Sequence, residues 1–139
     1  IGYEYAPIGR LLGIFQGAKI YPFDCSNENI VNSARKHDVA FTIEVGEHIP
    51  AEFSDRFVDL LCACSKKIIF SSAHPGQGGH GHINEQTKNY WEEKFVDRGY
   101  VKCHDEEIKM KEKLNDFGYK GWLPINLQIF SYLESSSSD

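Results

Sequence analysis

The sequence predicts an α/β domain, and three consecutive stretches carry that prediction. Residues 39–45 form an apolar run rich in β-branched and aromatic side chains, which stops abruptly in Gly46, Glu47 and His48. Residues 50–65 repeat Phe53, Phe57, Leu60, Leu61 and Cys64 at helical intervals. Residues 67–73 are a second short apolar run that passes directly into a Gly-rich loop, His74 to Gln86. Strand, helix, strand is the order of a right-handed parallel crossover. A buried strand ending in Gly and polar residues marks its carboxyl edge, where ligands of open α/β sheets bind.

The 139 residues suffice for one domain with its own core. Its expected extent is residues 1–133, with a disordered Ser-rich tail over 134–139. The net charge of -5 gives no electrostatic footprint for nucleic acid or an anionic membrane. No apolar run is long enough to span a bilayer. None of Cys25, Cys62, Cys64 and Cys103 has CxxC spacing, and Cys62 and Cys64 fall inside a helical pattern. They read as reduced thiols, which places the chain in the cytoplasm. The chain opens on Ile1, without Met or a visible signal peptide.

Taken in order, residues 1–10 read as the end of a strand entering a turn, with small residues at Gly2, Ala6 and Gly9. Leu11, Leu12, Ile14 and Phe15 then begin a helical face. Small residues between strand and helix let backbone approach a ligand and leave helix amides free, although a plain turn needs them too. Residues 17–24 read as a strand ending at Asp24, about 20 residues after Gly2, as in dinucleotide folds where an acid receives ribose hydroxyls. Asp24 equally reads as a cap for the next helix, since Ser26, Asn27 and Asn29 are capping residues. Residues 27–36 predict a short amphipathic helix. The passage from Asp24 to Asp38 is too brief for a further helix, strand and helix. Residues 87–100 predict a helix with Thr87 as N-cap and Gly99 as its stop. Residues 101–115 predict a charged helix, and 126–132 the last strand.

Several side chains are candidates for chemistry. Glu44 beside a buried strand requires a partner or ligand, because an unpaired buried acid is costly. Glu47 and His48 follow it at the strand end. His74, His80 and His82 lie on the loop, and two imidazoles flanking Gly81 could ligate zinc. The spacing specifies no third ligand, so no metal site is assigned. Tyr90, Trp91 and Phe95 recur at helical spacing and read as core.

The blocks Glu44-Val45-Gly46-Glu47-His48-Ile49-Pro50 and Pro75-Gly76-Gln77-Gly78-Gly79-His80-Gly81-His82-Ile83-Asn84, continued by residues 89–100, resemble class I S-adenosylmethionine-dependent methyltransferases of a small-molecule type. The resemblance covers residues 38–100 well, residues 1–30 loosely and the C-terminal third poorly. It implies a Rossmann-like fold with a mostly parallel central sheet, helices on both faces and the third-strand region missing. It implies S-adenosylmethionine as cofactor, bound by Gly2, Glu4, Ala6, Gly9, Asp24, Glu44 and Val45. It implies that Glu44–His48 border the methyl-transfer site and that the 74–84 loop covers substrate, with Glu47, His80 and Asn84 as its expected contacts. His48, His80 or His82 could act as base, since histidine titrates near neutral pH, and His48 and His82 are the expected catalytic residues. The implied function is methyl transfer to a small-molecule acceptor. The sequence departs from the family at Glu4, where a Gly is usual, at Pro7 and in the absent third strand. These departures motivate the alternative, an inactive methyltransferase-like subunit with protein partners in a larger assembly.

Overall fold

The computed structural model describes residues 24–135. The expectations for Gly2, Glu4, Ala6, Gly9 and the strand before Asp24 lie outside them. The described chain is α/β. Four strands, β1 (Ala40–Ile43), β2 (Lys67–Ser71), β3 (Tyr100–Lys102) and β4 (Gln128–Tyr132), form one sheet in the order β1-β2-β4-β3. The helices are α1 (Ser54–Cys64), α2 (Lys88–Val96), α3 (His104–Asp116) and the short α4 (Leu123–Asn126).

The crossover read from residues 39–73 is present: β1 pairs with β2 in parallel, from Ala40 opposite Ile68 to Ile43 opposite Ser71. The rest of the sheet is not parallel. β4 runs antiparallel to both β2 and β3, so the expectation of a mostly parallel sheet is corrected to a mixed one. The cause is where the chain re-enters. α4 ends at the carboxyl edge of β2, and Gln128 starts β4 opposite Phe70, so β4 must run back against β2. Mixed sheets of this kind are common in doubly wound proteins.

One face of the sheet carries the core. Phe57, Val58 and Leu61 of α1 and Trp91 and Phe95 of α2 pack onto Ile68, Phe70, Tyr100 and Phe130. Rings fill most of the space: Phe70 lies 5.1 Å from Trp91 and 5.4 Å from Phe95, and Phe95 stacks on Phe130 at 4.3 Å. Strand alternation sends Lys67, Ile69 and Ser131 to the other face. There Lys67 pairs with Glu106 in the first turn of α3 and donates to Ser131 Oγ at 2.9 Å.

Local chemistry explains most boundaries. Thr87 Oγ1 accepts from Tyr90 N at 3.2 Å and caps α2, as its sequence position requires. Gly99, at φ +83, ends the segment in the left-handed region. Directly after it Tyr100 begins β3, so the helix expected from residue 101 starts three residues later, at His104. Pairing with β4 takes Tyr100–Lys102 away from the helix. Tyr100 Oη donates within reach of the carbonyls of Ser65 (2.7 Å) and Cys62 (3.0 Å). The helix expected over 27–36 shrinks to one 3-10 turn, Ile30–Ser33, with Ile30 buried.

The four cysteines are free thiols, and burial pushes Cys25 and Cys62 up to about 11. Thiols so rarely ionised are poor nucleophiles.

An ionic clamp joins α1 to α2. Asp55 receives Lys94 Nζ at 2.9 Å and Arg98 at 3.1 Å, and Asp59 receives Arg98 Nε at 2.5 Å. The hydrogen bond from Lys94, helped by Arg98, holds the Asp55 carboxyl below its usual 3.8. A depressed acid contributes stability that is present above its unfolded value and lost as pH falls through its folded value. Asp55→Asn is expected to lower the thermal midpoint at pH 7 by about 1–4 °C, as an exposed pair does. The difference from the native chain is expected to narrow once the pH drops below 3.8. Thermal melts followed by circular dichroism across pH 2 to 7 check both, and a pH-independent gap would count against the ion pair.

Candidate functional site

The site lies at the carboxyl edge of the parallel pair. After Ile43 the chain cannot continue as a strand: Glu44 adopts φ +52, in the left-handed region. For a side chain as large as glutamate this backbone is sparsely populated and must be held by its surroundings. The restraint is visible. Glu44 N bonds Ser71 O at 3.0 Å, and the carboxylate accepts from Ser71 Oγ (3.0 Å), Asn126 Nδ2 (2.9 Å) and Gln77 Nε2 (3.2 Å). The partner demanded of Glu44 is thus three donors, from β2, the Gly-rich loop and the end of α4. Asn126 also donates to Gln77 Oε1 at 2.8 Å, and its Oδ1 accepts from His74 Nδ1 at 2.9 Å. Protein side chains satisfy the whole network.

Gly46–His48 forms a 3-10 turn beside it. Gly46 is obligatory there for packing: a Cβ would lie 2.8 Å from both Ser72 Oγ and the Trp91 indole. This close approach turns the next residue inward. Glu47 is fully buried, and one oxygen, Oε2, accepts from Ser72 Oγ at 2.9 Å. The other, Oε1, is buried with no hydrogen-bond partner among the described residues. Glu47 O anchors the returning loop by accepting from Ile83 N (2.9 Å) and Asn84 N (3.0 Å).

The loop brings histidine to the same place. Glu85 gathers it from below, accepting from Gly76 N (2.8 Å), Gly78 N (2.7 Å) and His82 Nδ1 (2.8 Å). The His82 bond is the leading reason that the Glu85 carboxyl sits below its usual range. The His82 ring lies against Gly79, where φ is +155 and a Cβ would fall 2.5 Å from Nε2. Gly79 therefore makes room for the imidazole. In the neutral tautomer that gives Nδ1–H to Glu85 the lone pair is on Nε2, and Nε2 faces Glu47 Oε1 at 3.9 Å. His48 meets His82 edge to face at 4.9 Å, and its Nδ1 donates to Gly81 O at 3.1 Å. In its neutral form this tautomer likewise has the lone pair on Nε2.

The structure thus joins Glu44, Glu47, His48 and His82 on one edge, while other expected site residues stand apart. His80 is exposed on the loop. Asn84 turns inward as a brace, donating to Ser54 Oγ at 3.1 Å and accepting from Gln86 at 2.8 Å. Asp24 is exposed and its carboxylate accepts from the backbone N and Oγ of Ser26 in a local turn; it does not cap the next helical segment, whose N-cap is Asn29. Those bonds hold its carboxyl below the usual range. Val45 packs partly buried against the core. Sequence reasoning missed Ser71, Ser72, Gln77, Glu85 and Asn126. Glu85 had a signal: a Gly-rich loop exposes several amides, and an acid three residues after His82 can collect them. Compared with family models, with curated proteins and with solved structures, the chain gives no match, and the geometry of this edge carries the functional reading by itself.

Proposed function

We propose that the chain is an S-adenosylmethionine-dependent methyltransferase acting on a small-molecule acceptor at the edge formed by Glu44–His48 and residues 74–84. The observation that carries the reading is the convergence of the two resembling blocks. The turn after β1 and the loop after β2 meet at the carboxyl edge of a parallel pair, with His48 and His82 4.9 Å apart beside a buried Glu47. Ligands of open α/β sheets occupy that edge.

Methyl transfer is an in-line displacement at a sulfonium carbon, so the chain's task is to align donor and acceptor and to remove the acceptor's proton where it has one. Two imidazoles whose Nδ1–H is already committed, to Glu85 and to Gly81 O, present Nε2 as the basic atom. A base oriented by a carboxylate or carbonyl is the arrangement such proton removal needs. The Glu44 carboxylate stands just before the turn that would meet the cationic donor. Its hydrogen bonds to Ser71, Gln77 and Asn126 hold it in place.

Calorimetric titration of the folded chain with S-adenosylhomocysteine tests the reading. Saturable binding at one equivalent is expected, weakened in Glu44→Gln. A folded chain that takes up no S-adenosylhomocysteine overturns it.

A further inference from the structure

We infer that Glu47, His48 and His82 form a binding site for one first-row divalent transition-metal ion, such as Zn2+. The inference stands apart from methyl transfer: it rests on the coordinating atoms alone and is read with no methyl donor present.

Three observations support it independently. First, one coordinating atom from each of the three residues lies within 4.8 Å of the others. Ligands of a tetrahedral ion with bonds near 2.0–2.1 Å sit about 3–3.5 Å apart. Glu47 Oε1 and His82 Nε2, at 3.9 Å, are within a small side-chain rotation of that spacing.

Second, Glu47 Oε1 is buried and has no partner among the described residues. A carboxylate oxygen out of water and without a donor is strongly disfavoured, and a bound cation offsets that cost. The nearest polar atom on the facing ring is His82 Nε2, too far at 3.9 Å for a hydrogen bond. A cation between the two satisfies both the carboxylate and the imidazole lone pair. Ser72 Oγ fixes the second oxygen, so that Oε1 alone points to the ion.

Third, the outer contacts are those that orient imidazole ligands. Metal-bound histidines give their remaining N–H to a carboxylate or a backbone carbonyl, which sets the tautomer and strengthens the ligand. His82 does so to Glu85 at 2.8 Å and His48 to Gly81 O at 3.1 Å. Two imidazoles and one carboxylate select a transition metal over magnesium or calcium, which prefer all-oxygen sites. Three protein ligands leave further positions open for water or an acceptor, the pattern of catalytic rather than structural sites. With the ion bound, Nε2 of His48 and His82 would serve as ligands and not as bases, and the chemistry the ion would supply is Lewis-acid polarisation of a bound group.

The test uses the full chain, stripped with a chelator and titrated with zinc chloride in a non-coordinating buffer without S-adenosylmethionine. One equivalent is expected to bind and to raise the thermal midpoint. Glu47→Gln and His82→Ala, each checked for native circular dichroism, are expected to bind at least tenfold more weakly. Glu85→Gln is expected to lose about 10–100-fold, as residues that orient ligands do. His104→Ala, on the exposed start of α3, is expected to bind as the native chain does. The inference is overturned if the folded native chain binds no zinc. It is equally overturned if Glu47→Gln and His82→Ala bind as tightly as the native chain, since the zinc would then sit elsewhere. S-adenosylhomocysteine titration reports on methyl transfer separately, so either reading can fail without the other.

Discussion

Trp91→Ala is expected to destabilise the chain by about 3–5 kcal/mol, the range for deleting a buried large aromatic. Trp91 is the largest of the fully buried side chains. Its indole contacts Phe70 (5.1 Å), Tyr90 (5.1 Å) and Phe57 (6.3 Å), so it ties α1, α2 and β2 together. The removed volume cannot refill, because rings on both sides are themselves held by the sheet. The effect reaches the site, since the indole is also the surface on which Gly46 rests. Without it the Gly46–His48 turn loses its floor and Glu47 its fixed direction. Trp91→Phe separates the contributions. It keeps an aromatic ring and removes an indole N–H that has no partner among the described residues, so it is expected to cost under half as much. Urea unfolding followed by far-ultraviolet circular dichroism measures both, and a loss below about 1 kcal/mol for Trp91→Ala would refute the packing account.

Glu44→Ala is expected to cost about 2–3 kcal/mol, because hydrogen bonds to a charged group are strong and their partners cannot all re-pair. Three donors lose their acceptor at once: Ser71 Oγ, Gln77 Nε2 and Asn126 Nδ2. Asn126 is buried and also carries His74, so the loss spreads from the loop to the entry of β4. The backbone gives a second readout. Glu44 sits at φ +52, where glycine is at ease and alanine is strained. Glu44→Gly is therefore expected to be about 1 kcal/mol more stable than Glu44→Ala, the reverse of the usual order in regular structure. Equal stabilities in urea unfolding would mean that the strained backbone relaxes when the carboxylate leaves.

The two substitutions probe different layers of the fold, and the sequence announced them unequally. Trp91 was legible as core, because period and composition in residues 87–100 reflect burial on one helix face. The parallel crossover was legible for the same reason: two short apolar runs flank one amphipathic helix. The charged segment after residue 100 was not. Tyr100 and Val101 are strand-favouring types, but three residues between two helical patterns are too few to show a period, and pairing with β4, nearly thirty residues later, makes them a strand. Pairing energy between distant segments leaves no local mark.

Glu44 was legible as an acid needing partners, though the partners themselves were not. The sequence by itself determined the α/β alternation, the carboxyl edge at Glu44–His48 and the glycines that let a loop fold over it. These follow from hydrophobic period and backbone sterics, which are local. Only the tertiary structure decided that β4 runs back through the sheet and delivers Asn126 to that edge. Only it decided which histidine joins the edge: His82, turned in by Glu85 and seated on Gly79, rather than His80 two residues away. Which side chains meet depends on the path of the loop in three dimensions, and that path is set by hydrogen bonds to residues far apart in the chain.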